Sequence, residues 1–183
     1  ELEKSEVFAV GDVEQVLARV ALELCFELDE HRRRRGSGGH GGDEVALRLA
    51  GAYTGRKDMA VSEVGYHGIT QKALDVSHYK CAGPGGQGQA DWVHVLPIPN
   101  TFSGPFRGPD AAQKYADEAA DLIQKIGGTD HTLAGCLLEI FPSVGGQLIP
   151  PNGYLKSLEG AVRAQGGLMI ADEVQTGLGR LGA

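Results

Sequence analysis

The sequence predicts an α/β fold, with a mostly parallel sheet and helices on both faces. Short apolar segments at 58–62, 134–139 and 168–171 are typical of buried strands, and amphipathic helical patterns at 111–126 and 153–164 stand between them. Strands that alternate with helices in this order are joined by right-handed crossovers. These crossovers make the strands parallel and cover both faces of the sheet.

The first half of the chain carries two helix candidates. Apolar residues at spacings of three and four predict a helix over 12–28. A charged, Gly-rich stretch follows, after which Asp43 is expected to cap a short helix over 44–53, apolar on most faces and therefore buried. The other elements predicted before residue 100 are strands at 58–62 and 92–96, a turn at 65–70 and a loop at 83–89.

The second half has the clearest helical pattern, over 111–126, with Gly127 suited to its C-terminal cap. Two buried strands in this half end on acidic residues, Glu139 and Asp172, and we predict that these strands are adjacent and parallel. In parallel sheets, ligands bind at the carboxyl ends of the strands. Both carboxylates are therefore candidate catalytic residues, although a carboxylate at this position is also commonly a helix cap or a turn former.

Composition narrows the class of protein. The chain has 183 residues, 42% hydrophobic and 22% charged, which predicts a packed core, and its net charge of −7 disfavours nucleic-acid or membrane binding. The basic cluster Arg32–Arg35 is interpreted as a solvated turn. Cys25, Cys81 and Cys136 form no CxxC pair, so we expect no metal site and a reducing compartment, the cytoplasm, with the mitochondrion as the alternative.

The segment 166–180, which contains Asp172-Glu173-Val174-Gln175, resembles the signature of the class-III aminotransferase family of fold-type-I pyridoxal 5'-phosphate (PLP) enzymes. The resemblance implies PLP as cofactor and a chain that forms an incomplete part of the large PLP-binding domain. It also implies that Asp172 keeps the pyridine nitrogen of PLP protonated and that Gln175 meets the phenolic oxygen.

Two further blocks resemble the same family. Tyr66, with His67 beside it, matches the turn that places an aromatic ring over the face of PLP. The stretch 38–43 matches the family's phosphate-binding run Ser-Gly-Ser/Thr-Glu-Ala-Asn. Gly39 is retained in this run, whereas His40 replaces the hydroxyl residue. The resemblance implies that both residues lie at the phosphate of the cofactor.

The segments 92–102, 115–118 and 139–154 are similar to the phospho-lyase branch, which acts on phosphoethanolamine or phosphohydroxylysine. Glu139 matches the strand-end glutamate of the family. The second, gating glutamate of ornithine and aminobutyrate transaminases is replaced by Val144, which argues against that subgroup. A transaminase of the alanine-glyoxylate type remains the alternative.

The resemblance also implies an organisation for the whole protein. We interpret 1–35 as a divergent helical segment and 36–183 as the partial PLP-binding domain. The family's Schiff-base lysine matches no lysine of this chain, so we expect no stable covalent attachment of PLP here. Two readings stay open, a PLP enzyme that acts as a homodimer on a small phosphorylated amine and a non-catalytic, truncated or degenerate relative.

Overall fold

A computed structural model describes residues 42–128, 132–177 and 180. The predicted helix over 12–28, the interpreted segment 1–35 and the phosphate-loop residues Gly39 and His40 lie outside the described residues. These expectations therefore stay predictions.

Nine helices and strands follow one another in the described part of the chain. They are α1 (Gly42–Thr54), β1 (Asp58–Ser62), α2 (Gln71–Val76), α3 (His78–Cys81), β2 (Val93–Leu96), α4 (Ala111–Gly127), β3 (Leu133–Glu139), α5 (Tyr154–Ala164) and β4 (Leu168–Asp172).

The four strands form one sheet in the order β2-β1-β3-β4, and every neighbouring pair is parallel. The register pairs Glu139 directly with Asp172 at the carboxyl ends of β3 and β4. The predicted α/β class, the parallel pairing of these two strands and the neighbouring positions of the two carboxylates are thus confirmed.

Helices cover both faces of this sheet. On one face, α4 and α5 pack on inward side chains that include Cys136 and Leu138. On the other face, α1 packs against the second set of strand side chains, among them Leu137, which is fully buried. Strand β3 is buried along its whole length because helices lie on both sides of it.

The structure differs from the sequence-based expectation in two places. Helices α2 and α3 are short and were not predicted, because four to six residues do not show a helical period. Helix α1 begins at Gly42 and buries one face, including Leu47 and Ala50, while Tyr53 is exposed. Asp43 therefore lies within the first turn of α1 instead of preceding it. Among the described residues, no helix is long and apolar enough to span a membrane.

Candidate functional site

The candidate site lies at the carboxyl ends of the strands, where the chain order reverses. The chain passes from β1 to β2 on one side of it and then returns past β1 to β3 on the other side, so the direction of the connections reverses at β1. Such a switch point opens a crevice between the loops that follow the two central strands. The loop after β1 carries Tyr66 and His67, and it contacts the ends of both β3 and β4.

A buried hydrogen bond joins this loop to β4. Nδ1 of His67 lies 2.8 Å from Oδ2 of Asp172, and the side chains are 0% and 5% exposed. The other oxygen of Asp172 accepts a hydrogen bond of 3.0 Å from the backbone N–H of Val174. Hydrogen bonds to a carboxylate stabilise its ionised form. Asp172 is therefore held in one orientation, as an acceptor at the end of the strand.

The hydroxyl group of Ser77 fixes the position of the His67 backbone. Its Oγ accepts a hydrogen bond of 2.7 Å from the backbone N–H of His67 and donates one of 2.6 Å to the carbonyl of Ala73. Ser77 is fully buried. This residue was not predicted, and a serine between two short helices gives no sequence signal of such a role.

The variant Ser77→Ala should lower the free energy of unfolding by roughly 1–3 kcal/mol, because the buried N–H of His67 loses its acceptor. Urea titration of the purified variant measures this change. Ser157→Ala, at an exposed position of α5, is the matched control and should change stability by less than about 0.5 kcal/mol. Equal effects of the two variants would contradict the assigned role of Ser77.

Glu139 links the loops that follow β1 and β3. Its Oε1 accepts a hydrogen bond of 3.0 Å from the backbone N–H of Tyr66, and its Oε2 accepts one of 3.1 Å from the N–H of Ser143. The residue is buried. Glu139 thus holds the two walls of the crevice at a fixed distance, and its catalytic role stays a prediction.

The remaining predicted residues line the same edge with different exposure. Tyr66 is half-buried, and Nζ of Lys80 lies 5.8 Å from the centroid of its ring. Gln175 is exposed in the turn that follows β4. The sequence analysis did not single out Lys80, because an isolated lysine in a short helix resembles any solvated surface group.

Asp43 is a further member of the site that the sequence analysis treated as a helix cap. One carboxylate oxygen of Asp43, one ring nitrogen of His67 and one carboxylate oxygen of Asp172 all lie within 4.8 Å of one another. Burial, followed by the negative charges of Asp172 and Glu139, raises the pKa of the Asp43 carboxyl from 3.8 to about 7, against an opposing effect of His67. The site therefore contains an acidic group that titrates near neutral pH.

These residues fit the polar edge of a planar cofactor such as PLP. Each oxygen of Asp172 accepts one hydrogen bond and retains acceptor capacity, so the carboxylate is able to accept a further hydrogen bond from a ring N–H. Nε2 of His67 is buried and has no hydrogen-bond partner among the described residues. A buried polar atom without a partner is unusual and is expected where a further group completes a site.

The family model for class-III aminotransferases matches residues 12–183. The chain belongs to the class-III aminotransferase family. Among curated proteins, it is 40% identical to an alanine–glyoxylate aminotransferase 2-like protein of Drosophila melanogaster, with 88% of this chain and 32% of that protein covered. It is 39% identical to ethanolamine-phosphate phospho-lyase homolog 1 of Caenorhabditis elegans, over 76% of this chain and 32% of that protein.

Solved structures of this family agree with the fold. A phospholyase from Arthrobacter in complex with phosphoethanolamine has 29% identity and a TM-score of 0.66, over 77% of this chain and 33% of that chain. A taurine:2-oxoglutarate aminotransferase from Bifidobacterium kashiwanohense in complex with PLP and glutamate has 27% identity and a TM-score of 0.67, over 79% of this chain and 33% of that chain. The expected family, fold type and family cofactor, PLP, are thereby confirmed.

The chain spans about a third of the length of the relatives that it matches. The matched third contains the strand ends, the loop after β1 and the turn after β4. These are the parts of the fold that form the candidate site.

Proposed function

We propose that this chain supplies the ring-binding part of a PLP site and that the reaction is removal of phosphate from a small phosphorylated amine. The buried pair of Asp172 and His67 at the carboxyl end of β4 supports the assignment of a ring-binding site. It provides a carboxylate in a fixed orientation where a protonated ring nitrogen needs a partner.

Each residue of the site has a defined task in this proposal. Asp172 accepts a hydrogen bond from the ring nitrogen and holds its proton, and His67 orients Asp172. Tyr66 offers an aromatic face to the ring, and Gln175 presents its amide to the phenolic oxygen. Glu139 fixes the position of the two loops relative to each other. The residues proposed to hold the phosphate of the cofactor are Gly39 and His40.

PLP, when bound, withdraws electrons from the carbon next to the substrate nitrogen, so that a bond at that carbon breaks more easily. Protein groups then decide which product leaves. A substrate phosphate carries negative charge, and its departure is favoured by a nearby cation. A base takes up the carbon-bound proton, a role that the family resemblance gives to the Schiff-base lysine, and inorganic phosphate leaves from the adjacent carbon. The electron pair of the broken C–H bond forms the new double bond.

Phosphate elimination is proposed over amino-group transfer for two reasons. The relative from Caenorhabditis elegans and the Arthrobacter enzyme are named for phospho-lyase chemistry. The position of the second, gating glutamate of ornithine-type transaminases is occupied by Val144, whose side chain carries no charge. An alanine–glyoxylate type of transaminase is the second candidate, because the Drosophila melanogaster relative carries that name.

Lys80 is the cation that we assign to the substrate phosphate. It lies in α3, and its Nζ stands 5.8 Å from the ring centroid of Tyr66 and 5.1 Å from that of Tyr79. The ammonium group thus lies next to the aromatic ring that is proposed to cover the cofactor. A compact, mobile ammonium suits recognition of a phosphate as a point charge.

We expect phosphate release from phosphoethanolamine or phosphohydroxylysine, without transfer of the amino group to glyoxylate or pyruvate. The assay uses the longest natural polypeptide that contains this sequence, loaded with PLP, and measures inorganic phosphate and amino-acid products in parallel. Lys80→Met should lower kcat/KM for the phosphorylated substrate by on the order of 10²-fold. Lys114→Met, at an exposed position of α4, is the charge-matched control.

Amino-group transfer without phosphate release would assign the protein to the transaminase alternative. Unchanged phosphate release in Lys80→Met would remove Lys80 from the substrate site. Failure to bind PLP at all would contradict the cofactor assignment and favour the reading as a non-catalytic relative.

We propose that the whole protein is a homodimer, as implied by the family resemblance, without nucleic-acid or membrane partners. The cytoplasm is the proposed compartment, with the mitochondrion as the alternative, because the cysteine pattern favours a reducing environment.

A further inference from the structure

We propose that Asp43 is a positioning residue of the site: its carboxyl group holds a proton beside the Asp172–His67 pair, so that the negative charge of the cluster stays on the carboxylate that faces a ring nitrogen. The proton on Asp43 is a property of the protein alone, whereas its effect on a ring nitrogen rests on the proposed function.

Three separate elements bring the three groups together. Asp43 comes from the first turn of α1, His67 from the loop after β1 and Asp172 from the end of β4, with their facing atoms within 4.8 Å. Asp43 is half-buried, and the other two residues are buried. His67 and Asp172 already form a direct hydrogen bond of 2.8 Å, so the cluster is interpreted as a hydrogen-bonded group rather than a metal site.

Repulsion between the two carboxylates favours one bound proton in this cluster. Two carboxylates face one imidazole, and like charges at this distance raise the energy of the doubly ionised form. Asp172 is the carboxylate that already has two hydrogen-bond partners, the N–H of Val174 and Nδ1 of His67. The proton is therefore held on Asp43, and the pKa of the Asp43 carboxyl at about 7 agrees with this assignment.

The other charged groups near Asp43 do not cancel this effect. Glu139, at the end of β3, adds a further negative charge that raises the pKa of Asp43. Helix α2, which also packs against α1, carries Lys72 and Asp75. The charges of these two residues affect the pKa of Asp43 less than those of Asp172, His67 and Glu139. Two nearby carboxylates thus act in the same direction, and His67 is the opposing charge.

Asn has nearly the same shape as Asp but has no proton to gain or lose near neutral pH. The substitution Asp43→Asn therefore removes the titration while keeping the side-chain volume.

The proton makes stability depend on pH in a defined direction. The unfolded carboxyl loses its proton near pH 3.8, whereas the folded one keeps it to about pH 7. Between these values the folded state binds more protons, so stability falls as pH rises. One extra proton changes the unfolding equilibrium constant tenfold per pH unit, or roughly 10²-fold between pH 5 and pH 7.

The test compares the protein with its Asp43→Asn variant, both without PLP, by urea unfolding at several pH values. We expect the variant to lose most of the roughly 10²-fold change between pH 5 and pH 7. Asp75→Asn, whose carboxylate accepts a hydrogen bond from Gln71 in α2, is the control that should retain it. An identical pH dependence in the protein and the Asp43→Asn variant would overturn the inference.

A second measurement needs no variant. NMR of the protein with ¹³C-labelled Asp carboxyl groups should show one buried carboxyl that titrates near pH 7, and titration of Asp43 near its ordinary value would overturn the assignment. PLP binding is measured in parallel by absorbance. A steep pH dependence without PLP binding contradicts only the proposed function, whereas PLP binding with an ordinary Asp43 titration contradicts only this inference.

Discussion

Under the proposed function, replacement of Asp172 by Asn should reduce the rate of PLP-dependent phosphate release by on the order of 10²–10³-fold. The neutral amide keeps the shape of the side chain, but it no longer supplies the negative charge that holds a proton on a ring nitrogen. It also replaces the carboxylate that now lies 2.8 Å from Nδ1 of His67 by a neutral amide. This expected loss follows from the burial of Asp172 and from the two hydrogen bonds that fix its carboxylate.

The measurement is a single-turnover rate at saturating PLP, together with the PLP absorbance spectrum of the variant. Asp117→Asn is the matched control, because Asp117 is exposed on α4 and accepts a hydrogen bond from Gln113. A loss in Asp172→Asn that follows unfolding of the variant would be visible in its urea curve. A correctly folded Asp172→Asn protein with a rate within about twofold of the original would rule out a role at the ring nitrogen.

Gly135→Ala should lower the free energy of unfolding by more than Ser77→Ala does. An added Cβ at this position would lie 2.5 Å from the carbonyl oxygen of Leu168, the residue paired with Gly135 in the β3–β4 ladder. The obstructing atom belongs to the backbone of a strand, so no side-chain movement relieves the overlap. The two strands must separate, which should cost at least roughly 3 kcal/mol, the upper part of the range for overpacked cores.

Because β4 ends on Asp172, the same change should displace the site as well as destabilise the fold. Urea unfolding of the Gly135→Ala and Gly160→Ala variants measures the change in the free energy of unfolding. Gly160 lies in α5 with open space around its Cα, so its replacement should stabilise the protein by about 0.5–1 kcal/mol. Comparable stability of the two variants would show that β3 and β4 do not approach as closely as described.

The sequence determined the order and type of the main elements. Strand β1 was predicted at its observed bounds, and α4 and β3 to within one residue, because apolar periodicity and buried runs are local signals. Glu139 and Asp172 were expected at neighbouring strand ends, since parallel strands carry their carboxyl ends to one edge. The motif around Asp172 also pointed to the family that the comparison with known proteins shows.

Only the tertiary structure decided how these residues combine. Contacts between residues far apart in the chain leave no local pattern, so the sequence did not predict that Ser77 holds His67 or that Glu139 joins two loops. The case of Asp43 shows the physical reason most directly. A carboxyl at the start of a helix is a capping candidate by sequence, and only its burial beside Asp172 and His67 turns it into a group that titrates near pH 7.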